Sequence, residues 1–261
     1  MKPRLKTIVF IGAGNVATVL SKGIKDSYNV VQIYSKTLAS ARKLGSMLKC
    51  AYTNDLKKLL DADIYIIAVK DDAVGKVASV LKLKNKLVVH TSGSVKMEVL
   101  EKVSSDYGVL YPLQTFTKNT KLKAGIPICI EGSTKNVVKE LGAIVKELNG
   151  KAYYLDSDQR SILHLAAVFA NNFSNYMFTV AQHIVEESGL PFEILLPLIE
   201  ETVGKLKLNP PEKNQTGPAV RGDKETIKKH ELLLRNNLQY LALYKLLTKN
   251  IQISAAHAKK L

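Results

Sequence analysis

Residues 8–17 read Ile-Val-Phe-Ile-Gly-Ala-Gly-Asn-Val-Ala, an apolar strand that runs directly into Gly12-x-Gly14-x-x-Ala17. A helical pattern follows at once. Gly12 permits the tight turn from strand to helix, Gly14 lets the backbone approach a pyrophosphate, and Ala17 lets the helix pack closely on the sheet. The helix N-terminus offers free N–H groups and a partial positive charge to phosphates. The stretch therefore predicts a dinucleotide-binding turn.

The end of the second predicted strand, at 30–34, indicates which dinucleotide to expect. A site that prefers NAD usually places Asp or Glu there, against the ribose 2′-hydroxyl. This chain has Ser35 and Lys36, with Arg42 in the next helix. A hydroxyl and two cations suit a 2′-phosphate, so NADP is expected and NAD is less favoured. The alternative is that Lys36 and Arg42 are ordinary solvated surface charges.

Length and composition predict a globular protein with a substantial core. Hydrophobic residues make up 46% of the 261 residues. No apolar stretch approaches the roughly 18 residues of a membrane span, and the first apolar run ends at Ile11, too early for a signal peptide. Cys50 and Cys129 lie far apart, without a pattern of metal ligands. We therefore expect reduced thiols, a cytoplasmic location, no metal and no membrane partner.

The net charge of +15 raises the question of a nucleic-acid partner. The lysines are spread through nearly every predicted helix and loop, and no helix-turn-helix, zinc finger or aromatic-rich ribonucleoprotein motif is present. We therefore expect no nucleic acid and a small-molecule ligand, because a basic surface also suits phosphate-bearing molecules.

Strand and helix patterns alternate through the first part of the chain and then stop. Near-continuous apolar strands between helices predict a parallel, doubly wound Rossmann-type sheet covered on both faces. After Asp156 the patterns are helical only, with a long helix to about Ser188 and an ordered loop at 208–223. The sequence thus predicts an α/β domain at 1–155 and an all-helical domain at 156–261. The predicted strands are 6–11, 30–34, 63–69, 86–91, 107–110, 126–131 and 152–155. The predicted helices between them are 14–26, 37–48, 55–60, 73–82, 95–103 and 134–148.

Polar residues at the strand ends should meet at the sheet edge where such folds bind ligands. His90 and Ser92 end one strand, and Gln114 follows another. His90 is a candidate neighbour of a nicotinamide ring or a substrate carbonyl, and the alternative is a strand-end histidine bonded to backbone. The cofactor-binding candidates are Gly12, Gly14, Asn15, Val16, Ser35, Lys36, Val69, Lys70 and Ser92.

The long helix and the following loop carry the other candidates. Arg160, His164, Asn171 and Asn175 are spaced so that an α-helix would keep them near one face, amid apolar neighbours. Such a stripe needs hydrogen-bond partners, which a substrate, an internal network or a dimer contact would supply. Arg221 lies in the loop, whose glycines and Pro218 indicate a shaped segment. Asp223 could pair with Arg221 or cap the next helix.

Five phrases together resemble a bacterial Rossmann-like family whose C-terminal half is a domain of unknown function. The family is similar in layout to pyrroline-5-carboxylate reductase, ketopantoate reductase and the 3-hydroxyacid dehydrogenases. The resemblance implies a helical C-terminal domain like that of 6-phosphogluconate dehydrogenase, NADP binding and a homodimer through that domain. The phrases are Gly-Ala-Gly-Asn-Val-Ala (12–17), Val-His-Thr-Ser-Gly (89–93), Tyr-Pro-Leu-Gln-Thr-Phe (111–116), His-Leu-Ala-Ala-Val-Phe-Ala-Asn-Asn (164–172) and Thr-Gly-Pro-Ala-Val-Arg-Gly-Asp (216–223).

One departure affects the chemistry. Similar 3-hydroxyacid dehydrogenases carry Lys-x-x-Asn-Asn on the long helix, with the lysine as acid and base, but this chain has Val168 at the lysine position. His164, one turn earlier, or His90 could move the proton instead.

The functional hypothesis is hydride transfer between NADP(H) and a small, anionic keto, hydroxy or imino acid in an interdomain cleft. His164 or His90 would donate the proton, Asn171 and Gln114 would orient the reacting carbon, and Arg160 or Arg221, with Asn175, would hold the substrate. The alternative hypothesis is a non-catalytic NADP-binding regulator or redox sensor of the same fold. The sequence does not name the substrate.

Overall fold

The computed structural model describes residues 4–258, and the chain packs as two compact units, Met1–Asn171 and Asn172–Leu261. The described part of the first unit holds one eight-stranded sheet of order β3-β2-β1-β4-β5-β6-β7-β8. Every neighbouring pair is parallel except β6 and β7. The strands are β1 (Thr7–Ile11), β2 (Asn29–Tyr34), β3 (Ala51–Thr53), β4 (Ile64–Ile67), β5 (Leu87–His90), β6 (Tyr107–Pro112), β7 (Pro127–Gly132) and β8 (Lys151–Tyr154).

Helices cover both faces of this sheet. Strand β1 shows why: its side chains alternate, so Ile8 and Phe10 enter one hydrophobic core while Val9 and Ile11 enter another. The first core also takes side chains from α1, α2 and α4, and the second takes them from α3. The predicted doubly wound α/β fold is thereby confirmed. The helices of this unit are α1 (Asn15–Ile24), α2 (Leu38–Leu48), α3 (Asp71–Ala78), α4 (Lys135–Glu147) and α5 (Ser157–Ala167).

The strand order changes direction at β1, which lies between β2 and β4. The crevice beyond the carboxyl ends of strands at such a point is where open α/β sheets bind ligands. The chain leaves β1 through Gly12, whose N–H donates to the Tyr34 carbonyl at 2.8 Å, and Ala68 after β4 donates to Ile11 at 2.8 Å. The glycine turn is therefore fixed at this edge by both neighbouring strands.

Several predicted elements differ from those observed. Strand β3 was not predicted, because three residues are too few to show an apolar pattern. The helices expected at 55–60 and 95–103 are only short 3₁₀ turns, Leu56–Lys58 and Met97–Leu100. Strand β7 begins at Pro127, a first-residue position that needs no ladder N–H, and lies one strand from the sheet edge.

The long helix predicted up to Ser188 is interrupted in its hydrogen bonding. Helix α5 begins with a capping box of Asp156 and Gln159, a π-helical segment follows at Val168–Phe173, and α6 (Ser174–Glu187) continues from it. The boundary between the two compact units falls inside the π segment, after Asn171. The predicted division at 155, where strand patterns end, stays a prediction. Helix α5 packs with the first unit because its side chains bond to strands of the sheet.

The described residues of the second unit form helices joined by turns and short irregular segments, with no strand among them. The stretch predicted as a loop at 208–223 contains two short helices, and Asp223 caps α10, one of its two expected roles, accepting from the Thr226 N–H at 3.0 Å. Among the described helices, none has the length and apolar character needed to cross a bilayer. After α6 the helices are α7 (Leu196–Lys205), α8 (Pro211–Asn214), α9 (Pro218–Arg221), α10 (Lys224–Leu233) and α11 (Leu238–Ala258).

The two glycines of the turn should respond differently to alanine. Gly12 has φ +132°, and a β-carbon there would lie 2.0 Å from the Ala68 carbonyl oxygen, whereas no neighbouring atom comes within 4 Å of one at Gly14. We expect Gly12→Ala to lower the free energy of unfolding by about 3 kcal/mol. Gly14→Ala, the matched control, should stay within about 1 kcal/mol of the unsubstituted protein. Equal losses in urea denaturation would contradict this account.

Candidate active site

The glycine turn forms a cradle that fits a pyrophosphate. Gly14 is the N-cap of α1, and among the described residues no side chain caps this helix end. The first turn of α1 carries no acidic residue, and the space beside Gly14 is open. Free backbone N–H groups, a helix N-terminus and missing β-carbons are the features that bind phosphate groups.

The end of β2 fits an adenosine ribose that bears a 2′-phosphate. The Ser35 N–H donates to the Thr53 carbonyl at 3.1 Å, and this hydrogen bond fixes the backbone at this point. The side chains of Lys36 and Arg42 are exposed, and the first turn of α2 contains no acidic residue. Two mobile cations without a competing carboxylate favour a bound phosphate.

Asn15 connects the glycine turn to the segment after β6. Its amide Nδ2 donates to the carbonyl of Phe116 at 2.7 Å. The side chain of Val16 is partly buried against the core. The predicted cofactor contacts of these two residues stay predictions.

The ends of β4 and β5 form the next part of the edge. Val69 packs against the second core, and Lys70 is an exposed N-cap of α3. The nearly buried Ser92 hydroxyl oxygen accepts from the N–H groups of Ser94 and Val95, at 3.1 and 3.0 Å. Its contacts are therefore with its own turn, and its predicted role in binding the cofactor stays a prediction.

His90 lies inside the protein and not at the surface of the site. It is 0% exposed, and its Nδ1 accepts from the Ser92 N–H at 3.2 Å. Burial, together with the positive charge of Arg160, lowers the pKa of His90 to about 4. A buried, neutral imidazole does not support the predicted role as proton donor, and the backbone-bonded alternative describes it better.

Arg160 is also buried, with 1% of its surface exposed. Its guanidinium forms an ion pair with Glu131 of β7, and its Nη2 donates to the Val95 carbonyl at 2.6 Å. The Ser157 hydroxyl also donates to the Glu131 carboxylate, at 2.9 Å. Because Arg160 is buried and its guanidinium already contacts Glu131 and the Val95 carbonyl, the structure does not support the prediction that it binds a substrate anion.

His164, one turn after Arg160, forms the contact of most chemical interest. Its Nδ1 lies 3.0 Å from the Tyr111 hydroxyl at the end of β6, and the two rings meet edge to face, with centroids 5.8 Å apart. Gly93 makes this approach possible, because a β-carbon there would come within 2.8 Å of both rings. Burial raises the pKa of Tyr111 to about 12.

Asn171 is held beside the same strand end. Its Nδ2 donates to Thr115 Oγ1 at 2.8 Å, and the exposed Gln114 accepts from the N–H of Thr115 at 3.2 Å. The π segment changes the helical period, so α-helical spacing no longer puts Asn175 on the face of His164. Asn175 and Arg221 are exposed residues of the second unit, and their contacts with substrate stay predictions.

Sequence reasoning assigned no role to Tyr111, Thr115, Gly93 or Glu131. The sequence did offer a reason to consider Tyr111. It follows a predicted strand at the edge expected to bind the cofactor, and it is the first residue of the stretch 111–116 that resembles the family. Nothing in the sequence indicates Glu131 as the partner of Arg160, because 29 residues separate them. The structure brings together the glycine turn, the 92–95 turn, the 111–116 segment and the helix from His164 to Asn171.

Two protein-family models match the chain. One, described as NADP oxidoreductase coenzyme F420-dependent, matches residues 7–93, and the other, the domain of unknown function DUF2520, matches residues 126–251. The first match contains the glycine turn, and the second runs from β7 into α11. A comparison with the curated proteins gives no match.

Among solved structures, a Bacteroides fragilis protein provisionally named an NADP oxidoreductase is 40% identical to this chain, with a TM-score of 0.89. The match covers 95% of this chain and 98% of that protein. The chain therefore belongs to the same family as the Bacteroides protein. The prediction that the protein is an NADP-dependent oxidoreductase with a Rossmann-type domain is confirmed as a class of protein, without a substrate.

Two more distant structures share the fold. The reductive aminase from Aspergillus terreus, in complex with NADPH and ethyl levulinate, is 15% identical with a TM-score of 0.73, covering 99% of this chain and 100% of that one. The 1-pyrroline-5-carboxylate reductase from Streptococcus pyogenes is 18% identical with a TM-score of 0.60, covering 98% and 99%. At these identities the likeness shows the fold alone.

The buried His90 predicts a specific pH dependence of stability. Its pKa is about 4 in the folded protein and 6.5 ordinarily, so the unfolded chain binds the proton first as pH falls. The contribution of neutral His90 to the free energy of unfolding is fully present above pH 6.5, and about 3 kcal/mol of it is lost as the pH falls from 6.5 to 4. His90→Gln lacks this loss, so in urea denaturation its free energy of unfolding relative to the unsubstituted protein should rise by about that amount between pH 7 and 4. The control His257→Gln, at an exposed position, should show no such rise. Parallel curves for all three proteins would contradict this prediction.

Proposed function

We propose that the protein reduces the carbonyl or imine group of a small keto or imino acid with NADPH. One observation carries this proposal: a phosphate-binding glycine turn and an imidazole, His164, lie at the carboxyl edge of one sheet, within one compact unit. Hydride transfer to a carbonyl needs a bound dinucleotide and a proton donor on the same side of the sheet.

The residues that would hold the cofactor lie in the glycine turn and at the end of β2. The turn from Gly12 to Gly14 and the N-terminus of α1 would bind the pyrophosphate, while Ser35 and Lys36 would bind the 2′-phosphate. When bound, the nicotinamide supplies the hydride. The protein then has to orient the substrate and provide a proton.

His164 is our candidate proton donor and Asn171 our candidate for orienting the reacting carbon. His164 is partly exposed, in contrast to His90, and Asn171 is held by Thr115 close to the end of β6. Val168, at the position of a lysine in similar dehydrogenases, cannot transfer a proton, so the imidazole takes that task. With Arg160 committed to Glu131, Arg221 is the candidate for holding an anionic group of the substrate.

Cofactor preference tests the phosphate-binding part of the proposal. We expect NADPH to bind more tightly than NADH in fluorescence titrations. Lys36→Glu should weaken NADPH binding by about tenfold to a hundredfold, because it replaces a charge-assisted contact by repulsion. Lys139→Glu makes the same charge change at an exposed position on α4 and should leave the affinity unchanged. Equal effects of the two substitutions would leave general electrostatics as the cause and would overturn the assignment of Lys36.

Turnover tests the chemistry. NADPH oxidation is followed with pyruvate and 1-pyrroline-5-carboxylate as anionic probes, and with cyclohexanone plus allylamine as a neutral pair. The proposal predicts reduction of an anionic probe, with at least a hundredfold loss in His164→Ala and unchanged NADPH binding. NADPH binding without any turnover would favour the non-catalytic regulator, and absence of binding would exclude both.

We also propose that the protein forms a homodimer through its helical unit. Not one residue in 172–257 is fully buried, so the described part of this unit has no closed core of its own. Exposed apolar side chains of this density mark an interaction surface. A second copy is the natural occupant, because the unit would otherwise expose most of its apolar surface. The most exposed large side chains there are Leu208 (79%), Leu233 (81%) and Leu238 (75%).

The dimer predicts a mass of about twice that of one chain in sedimentation equilibrium. Leu233→Glu and Leu238→Glu together should shift the equilibrium to the monomer, since two charges would enter an apolar contact. Leu60→Glu replaces an exposed leucine of the first unit and serves as the control. A monomeric unsubstituted protein would refute the proposal.

A further inference from the structure

The hydroxyl of Tyr111 and the Nδ1 atom of His164 face each other in a setting that fixes both. Tyr111 is part of β6 and His164 is part of α5, so a strand and a helix each hold one partner. The missing side chain of Gly93 leaves room for the two rings, as any β-carbon there would collide with them. The contact is therefore a product of the fold and not of two exposed side chains that happen to touch.

A second connection holds the same helix on the same strands. Tyr111 pairs with Cys129 across β6 and β7, and Glu131 follows two residues later on β7, so Tyr111 and Glu131 share one sheet face. Arg160 and His164 are four residues apart on α5 and share one helix face. The Arg160–Glu131 ion pair and the Tyr111–His164 hydrogen bond are therefore two successive links between α5 and the sheet.

The hydroxyl can serve the imidazole in both of its charge states. Burial keeps the Tyr111 phenol protonated, with a pKa of about 12, so it stays an uncharged group that donates or accepts. The contact permits either direction when His164 is neutral. A ring that has given up its Nε2 proton keeps Nδ1–H, which then donates to the hydroxyl oxygen. When His164 is an imidazolium, its Nδ1–H donates to the hydroxyl oxygen. In either state Nδ1 is occupied, and Nε2 is the nitrogen left for a substrate.

We propose that Tyr111 is a positioning residue that acts through His164. It holds Nδ1 so that the Nε2–H of the imidazolium is aimed at the heteroatom of the substrate. This inference rests on the proposed function. The reacting carbon takes a hydride from NADPH, which becomes NADP⁺, and the electron pair of the C=O or C=N double bond moves to the heteroatom. That atom takes the proton from Nε2, leaving neutral imidazole, which regains a proton from solvent.

Tyr111→Phe is the central variant, because it keeps the ring that packs on His164 and removes only the hydroxyl. Without that partner the imidazole loses its fixed tautomer and orientation. We expect kcat to fall by about tenfold to a hundredfold, less than in His164→Ala, with NADPH affinity unchanged. Tyr107→Phe, at the other end of β6, is the matched control and should keep the kcat of the unsubstituted protein.

A structural role alone would not select one tautomer of the neutral imidazole, so nitrogen NMR provides the decisive readout. The ¹⁵N shifts of His164, assigned by their loss in His164→Ala, should show the Nδ1–H form of the neutral ring in the unsubstituted protein. Tyr111→Phe should show a mixture of both tautomers, and the pH profile of kcat should shift. Tyr107→Phe should show neither change.

The outcomes separate this inference from the proposed function. If the unsubstituted protein does not bind NADPH or turns over no probe, the proposed function fails, while the ¹⁵N shifts still decide whether Tyr111 fixes the tautomer. If Tyr111→Phe keeps the tautomer, the pH profile and the kcat of the unsubstituted protein, the positioning role is refuted even though the reductase activity stands.

Discussion

The buried ion pair between Arg160 and Glu131 is the interaction on which the site depends. It joins α5 to β7, and α5 carries His164 one turn later. Removing one partner of such a pair leaves an unpaired buried charge, which costs about 3 to 5 kcal/mol, so the helix has one favoured position on the sheet. The same positive charge helps to keep His90 neutral beneath the site. Arg160 therefore acts on the site indirectly, by fixing the position of α5 and by helping to keep His90 neutral.

The glycine turn is connected to the helix of Arg160 and His164 through residues 111–116, which are the end of β6 and the segment after it. Asn15, beside the glycine turn, binds the Phe116 carbonyl, and Thr115 binds Asn171. Tyr111 begins this segment and contacts His164. The segment from Tyr111 to Phe116 therefore touches both the phosphate-binding turn and the helix with the candidate proton donor. A shift in either one would be transmitted to the other through a few short hydrogen bonds.

Much of the fold followed from local patterns, and the site followed only in part. Apolar runs and the glycine motif predicted the sheet because buried parallel strands and a strand-to-helix turn at Gly12 leave clear signals in the local sequence. The π segment had no such signal, and it removed the α-helical spacing on which the grouping with Asn175 depended. The burial of His90 and the pairing of Arg160 were hidden for another reason: each depends on residues far away in sequence, and a polar residue at a strand end looks the same whether exposed or covered.

If the glycine turn and His164 serve a single reaction, a bound cofactor must contact both of them. A crystal structure of the protein with NADPH bound would show whether it does. We expect the pyrophosphate on the turn at Gly14 and the nicotinamide beside His164, with room for a carbonyl oxygen at roughly 3 Å from Nε2. A nicotinamide bound away from His164, or a pyrophosphate that does not contact the turn, would contradict this expectation.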